Sequence, residues 1–406
     1  VLADRLSSSR QFPFLLGLIL LLLSTILLAI GNSLPVLWLA RFLQGASGGI
    51  VWTIGTALLI ETVGQANLGK TIGTIFSFCS IAGLFSPVVG GILYAKTGYV
   101  GVFSVGLALI VVDFIMRVLV IEKKVAAKYA PLSSRSPSPD TPESYTTANE
   151  STPLLLDGAP PECQTQSRYR LPEPKSRITQ TFPILLVLRD PALLTALFMG
   201  FIQAFLLGAF DATVPVLAAH DYHFDSLKAG LLLLPLGLAD FFLGPVFGWC
   251  VDRWGTKPLS VFGFAYLVPV LVLLRLPSAL ASDVDMKGQI ALYASLLAFN
   301  GVGLAVINST SIVESGNVLE RYWKANRALF EGQAPYAQLY GLNSMMWSAG
   351  LTVGPVVAGA LKEGIGYGDM NAVLAGICAV TAILAGCFVS GRDGDGDGEG
   401  GGDAEG

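Results

Sequence analysis

Ten stretches of this chain are apolar for too long to belong to a water-soluble fold. They lie at 12–31, 36–60, 72–94, 101–121, 192–218, 227–250, 259–276, 288–310, 338–361 and 371–390. About 18 or more apolar residues with few charges suffice to cross the hydrocarbon of a bilayer as a helix. The Gly and Pro residues inside these stretches do not argue against helix, because neighbouring helices can satisfy the freed backbone groups. Long alternating strands of the barrel type are absent. Only 13% of the 406 residues are charged, against roughly 25% in soluble domains. An all-α, polytopic membrane protein is therefore expected. The first stretch follows Arg5 and Arg10 but runs straight into further spans and lacks a small-x-small cleavage site, so it reads as a retained helix rather than a signal peptide.

The basic residues predict an orientation. With the N-terminus in the cytoplasm, 18 of the 25 Lys and Arg fall on inside segments and only Lys96, Lys228, Lys287 and Lys362 outside, as the positive-inside rule requires. Both termini are then cytoplasmic. The stretch 122–190 is rich in Ser, Pro, Thr and Glu and reads as a flexible cytoplasmic linker. It separates a four-span bundle, 1–121, from a six-span bundle, 191–390, with an acidic Gly/Asp tail at 391–406. The five cysteines form no C-x-x-C pair, so neither a zinc site nor a disulfide framework is indicated. His220 and His223, beside Asp221 and Asp225, read as a solvated loop, and no metal site is expected.

The two parts repeat each other. Residues 86–99 align without gaps to 354–367, with seven of fourteen positions identical, and Ala3-Asp4-Arg5-Leu6 pairs with Val251-Asp252-Arg253-Trp254. Repeated helical halves mark secondary transporters, whose substrate path lies between the halves. Asp252 follows two spans of its half, whereas Asp4 follows none. The expected plan is six plus six spans, of which about ten of twelve are present.

Three motifs carry a resemblance to the major facilitator superfamily. The first is Gly248-x-x-x-Asp252-Arg253-x-Gly255-x-Lys257, with a partial N-terminal copy that retains Asp4 and Arg5. The second is Arg41-Phe-Leu-Gln44-Gly45, and the third is Gly83-x-x-Ser86-Pro87-x-x-Gly90-Gly91, repeated in part as Gly354-Pro355. Within the superfamily the chain resembles the drug:proton antiporters of the vesicular amine transporter type, to which Asp211-Ala-Thr-Val-Pro215 adds an acidic-x-x-x-Pro pattern. The resemblance implies a two-bundle helical fold and proton-coupled antiport of a small organic compound, cationic or amphipathic. The motif residues then gate, and Arg41 takes part in proton coupling.

The physics of single residues points to the same region. A charge in mid-span costs at least ~2.5 kcal/mol, so it faces a cavity or a partner. Asp211 is the foremost candidate to bind a cation or a proton, the alternative being a structural pair with a neighbouring helix. Asp113 and Asp240 are either relays or structural charges. Trp52, Tyr340 and Trp347 offer ring faces to a cation or simply pack. Where the resembled group carries acids in its later spans, this chain has Asn308 and Ser344, with Asn343 beside the latter. That departure leaves an uncoupled facilitator as one alternative, and the two spans short of the expected plan leave a transport-inactive truncated or receptor-like protein as another. No nucleotide loop or catalytic triad order is present, so no enzyme is expected. Nor is a cofactor beyond a proton gradient, or a nucleic-acid partner. A monomer in the plasma or a vacuolar or vesicular membrane is expected, in contact with lipid and a small-molecule substrate.

Overall fold

The computed structural model describes residues 11–64, 67–119, 169–171, 182–224, 226–279, 285–327, 329–330 and 334–390. Asp4, Arg5, most of the expected linker and the 391–406 tail lie outside them. Regular structure among the described residues is helical throughout. The helices are α1 (Gln11–Ile30), α2 (Leu34–Val63), α3 (Leu68–Leu119), α4 (Ile184–Val187), α5 (Pro191–Asp221), α6 (Ser226–Leu232) and α7 (Leu234–Trp254). They continue with α8 (Thr256–Leu273), α9 (Leu276–Ala279), α10 (Met286–Ile307), α11 (Thr310–Ala325), α12 (Tyr336–Ile365) and α13 (Tyr367–Phe388).

Nine stretches among the described residues are long and apolar enough to cross a membrane. All ten expected spans fall on helices. The two counts differ at α3, whose 52 residues hold two of the expected spans, 72–94 and 101–121. These meet at Gly98, where φ is 70° and ψ −167°. The repeat-related Gly366 joins α12 to α13 with φ 85° and ψ 166°. Left-handed backbone of this kind is strained for any residue with a Cβ, so the internal repeat preserves a backbone turn as well as a sequence.

Small residues set how closely the helices approach. On α3, Gly69, Gly73 and Ser77 face Gly244 and Gly248 of α7. A Cβ added at Gly69 would stand 2.5 Å from the Gly248 carbonyl oxygen, and one at Gly73 would collide with the carbonyl of Gly244. Four-residue spacing of small residues lets two backbones touch, and in lipid such packing drives helix association. Inside the C-terminal bundle, Gly350 and Gly354 of α12 lie against the backbone at Phe201 and Phe205 of α5, and Gly208 of α5 lies against the Pro355 ring.

On α3 no described atom lies within 4 Å of a Cβ built at Gly83, Gly90 or Gly91, and the same holds at Gly359, the repeat counterpart of Gly91. After α10 the chain continues directly into α11. There Glu314 is 1% exposed and accepts hydrogen bonds from the Thr256 hydroxyl and, at 3.3 Å, from the Ser390 N–H. A buried carboxylate needs such donors, and this one ties the start of α8 to the end of α13.

Replacing Gly366 with Ala should destabilise the protein by about 1–2 kcal/mol, because Ala must adopt left-handed backbone. Gly376→Ala in the middle of α13, where a Cβ meets open space, should instead be neutral or stabilising by up to about 1 kcal/mol. Thermal unfolding of the two variants in the same detergent checks the contrast.

Candidate functional site: a cavity between the bundles

The glycine stripe of α7 ends in a carboxylate on each side. Asp240, Gly244, Gly248 and Asp252 recur every four residues and so share one helix face, with the two acids about 18 Å apart along the axis. Both acids reach across to α3. Asp252 accepts the Gly69 N–H at 2.6 Å and the Lys70 N–H at 2.8 Å. These are among the first N–H groups of α3, which have no partner within their own helix. The negative charge also meets the positive end of the helix dipole. Gly255, with φ 88°, turns the chain sharply after α7, and the Arg253 guanidinium lies over the Trp249 ring at 5.3 Å. The loop signature is thus a clasp between the two bundles. Lys257 is half-buried two residues beyond the turn.

At the other end of the stripe, Asp240 anchors a chain of hydrogen bonds. Ser80 of α3 donates its hydroxyl to Oδ2, and Asn308 donates Nδ2 to Oδ1 at 3.0 Å. Asn308 in turn accepts Nε2 of Gln203 on α5 at 2.8 Å. Ser77 donates to the Asp240 carbonyl at 3.2 Å. One chain of polar groups therefore links α3 of one bundle with α7, α10 and α5 of the other.

Gln203 and Asn308 border a narrow cavity between the bundles. Trp52 of α2 and Phe76 of α3 wall it from one bundle; Tyr340, Asn343 and Trp347 of α12 wall it from the other. The Phe76 ring stands 5.6 Å from Trp52 and 5.2 Å from Trp347, so an aromatic bridge crosses the interface. Asn343 is held by Ser315, to which it donates at 3.3 Å, and Tyr340 stacks on Tyr336. The lining side chains are aromatic, aliphatic, amide and hydroxyl, with no formal charge.

The family model described as Major Facilitator Superfamily matches residues 1–318. The chain belongs to the major facilitator superfamily. It is 41% identical over 396 residues to the MFS-type transporter ppzB of Metarhizium majus, an alignment covering 95% of this chain and 86% of that protein. It is 22% identical over 379 residues to the vesicular acetylcholine transporter of Drosophila melanogaster, covering 90% and 53%. The crystal structure of the human organic anion transporter MFSD10 (TETRAN) shares the fold, with a TM-score of 0.61 at 16% identity over 94% of this chain and 78% of that one. The protein is therefore a multi-pass integral membrane transporter.

Within this superfamily frame the sequence-derived candidates separate. Tyr340, Asn343 and Asn308 line the cavity, and Asp240 stands one hydrogen bond behind it. Ser344, next to Asn343, does not line it. Asp211 is exposed and outside the lining. It sits eleven residues after Gly200 on α5, three turns on the same face and about 16 Å along the axis. Arg41 has the same relation to Trp52 on α2 and donates to Gln44 at 3.0 Å. Successive spans alternate in direction, so both charges stand on one side of the cavity and the Asp252 clasp closes the other. Gly45 follows Arg41 by one turn and meets open space. Asp113 is exposed on the second segment of α3, away from the cavity. His220 and Asp221 form the exposed last turn of α5 rather than a loop, with Nδ1 and Oδ1 2.6 Å apart. Ser80, Gln203 and Glu314 were missed, because uncharged polar residues in a span carry no signal above packing, and Glu314 lies beyond the end of an apolar run.

Asp252→Ala removes two charge-assisted hydrogen bonds. It should weaken the clasped state by about 2 kcal/mol, roughly thirtyfold in population. Spin labels at the exposed Asn67 and Pro258 should then report a shift toward longer separations in the variant.

Proposed function

We propose that the chain is a proton-coupled antiporter that moves a small organic, cationic or amphipathic compound by alternating access. The observation that carries this reading is the cavity itself, walled by side chains of both bundles, with the Asp252 clasp joining those bundles on one side of it. Rocking the bundles about the glycine stripe would break the Asp252 contacts and reverse which end is sealed. The excess of Lys and Arg on the clasp side supports placing that side in the cytoplasm. The aromatic bridge of Trp52, Phe76 and Trp347 suits a planar or cationic group. The distant likeness to a vesicular acetylcholine transporter supports the cationic class, and Asp211 would attract a cation entering from the open side. The family and its relatives are transporters, which agrees with a carrier rather than an enzyme. We place it as a monomer in the plasma membrane or a vacuolar or vesicular membrane.

A second reading, an uncoupled facilitator, rests on the neutral lining at Asn308 and Asn343. Purified protein in liposomes with an acidic lumen, given the aromatic cation ethidium, separates the two. Coupled antiport predicts accumulation that collapses when nigericin dissipates the pH gradient, and at least a tenfold slower rate for Asp211→Asn. Ethidium flux that ignores nigericin favours the facilitator, and equal rates for wild type and Asp211→Asn remove Asp211 from the mechanism.

A further inference from the structure

The hydrogen-bond chain behind the cavity has a direction. An ionised carboxylate only accepts hydrogen bonds, whereas each amide offers one accepting and one donating face. With Asp240 ionised, Asn308 must turn Nδ2 toward it, and the bond is 3.0 Å. That choice leaves Asn308 Oδ1 facing Gln203, which must then donate Nε2, at 2.8 Å. Gln203 is thereby left with its carbonyl Oε1 for the cavity it borders. Gln203 and Asn308 are 5% and 4% exposed, so water is not at hand to accept a mismatched orientation, and each amide must match its neighbour.

We propose that Asp240, Asn308 and Gln203 form an amide relay that reports protonation of Asp240 to the cavity as a reversal of hydrogen-bond polarity. A hydronium ion passes its proton to Oδ1: one O–H bond breaks in the donor, one forms on the carboxyl group, and a neutral water is left. The new hydroxyl donates, so Asn308 rotates its side-chain amide to present Oδ1. Nδ2 then faces Gln203, which rotates in turn and presents Oε1 to Asn308 and its NH₂ to the cavity. The ionised state selects a ligand that donates an N–H or O–H at Gln203, and the protonated state releases it. A proton and a donor-bearing ligand thus exclude each other without a charge in the lining. The device rests on the transport reading above and supplies it with a coupling step that Asn308 alone, being unable to ionise, does not.

The groups around Asp240 leave this channel open. From α3, Cys79 stands beside the carboxylate and Ser80 bonds Oδ2. No charged side chain of α6, α8 or α10 acts on it among the described residues. Ser80 offers the competing route: a proton held on Oδ2 would need only the serine hydroxyl to turn and would leave both amides still.

Infrared difference spectra between acidic and neutral buffer, recorded on the full chain in lipid nanodiscs, distinguish the routes without a ligand. The relay predicts a protonated-carboxyl component present in wild type and missing from the Asp240→Asn spectrum, together with side-chain amide bands that shift when glutamine is side-chain labelled with ¹⁵N. Asn308→Leu, or the milder Gln203→Met, should keep the carboxyl band and lose the glutamine-sensitive bands. A carboxyl region of the spectrum that is identical in wild type and Asp240→Asn overturns the proposal. So does a wild-type spectrum with the carboxyl band but no glutamine-sensitive change, which assigns the proton to the Ser80 side. The wild-type label experiment decides even if a variant does not fold. Failure of the ethidium assay with intact glutamine-sensitive bands would reject the transport reading and leave the relay standing.

Discussion

Contact between the backbones of α3 and α7 is the constraint on which the rest of the molecule depends. Gly69, Gly73, Gly244 and Gly248 leave no room for a side chain between the two helices. In a bilayer there is no hydrophobic drive between apolar helices, so such close packing and the hydrogen bonds beside it must hold the bundles together. The same stripe places Asp240 at one end and Asp252 at the other. A bulkier interface would carry both acids away from their α3 donors and separate the aromatic walls of the cavity.

The two acids act on different kinds of partner, and that difference orders the site. Asp252 binds backbone N–H groups at a helix start, donors present only where a helix begins. Its contact is therefore lost if the bundles tilt by a few ångströms. Asp240 binds side chains, which can rotate while the helices stay in place. One end of the stripe is thus sensitive to the rigid-body position of the bundles, the other to the protonation and orientation of polar side chains. The cavity lies beside the second, where Gln203 and Asn308 join the polar chain to the aromatic walls.

Much of this was legible in the chain. Spans could be read from apolar length, because a bilayer imposes one requirement on every spanning helix. The repeat at 86–99 and 354–367 was legible as sequence, but only the structure shows that Gly98 and Gly366 within it share a positive-φ backbone. The motif around Asp252 was legible because part of it recurs at Asp4 and Arg5. The ranking of the acids was less legible. Asp211 stood out as a charge in an apolar run, yet α5 carries it three turns from the cavity. Asp240 looked no different from Asp113 until α7 and α3 were set side by side.

The sequence alone determined that the chain spans a membrane, repeats internally and carries superfamily motifs, because those properties depend on residue type and spacing along one dimension. Which residues share a cavity was decided only by the tertiary structure. Trp52, Phe76, Gln203, Asn308 and Trp347 come from four separated helices and the end of a fifth, and no periodicity relates them. Side-chain amides and rings acquire direction only from what they touch. The partners of Asn308 on two other helices turn a neutral residue into the link between a half-buried acid and the cavity.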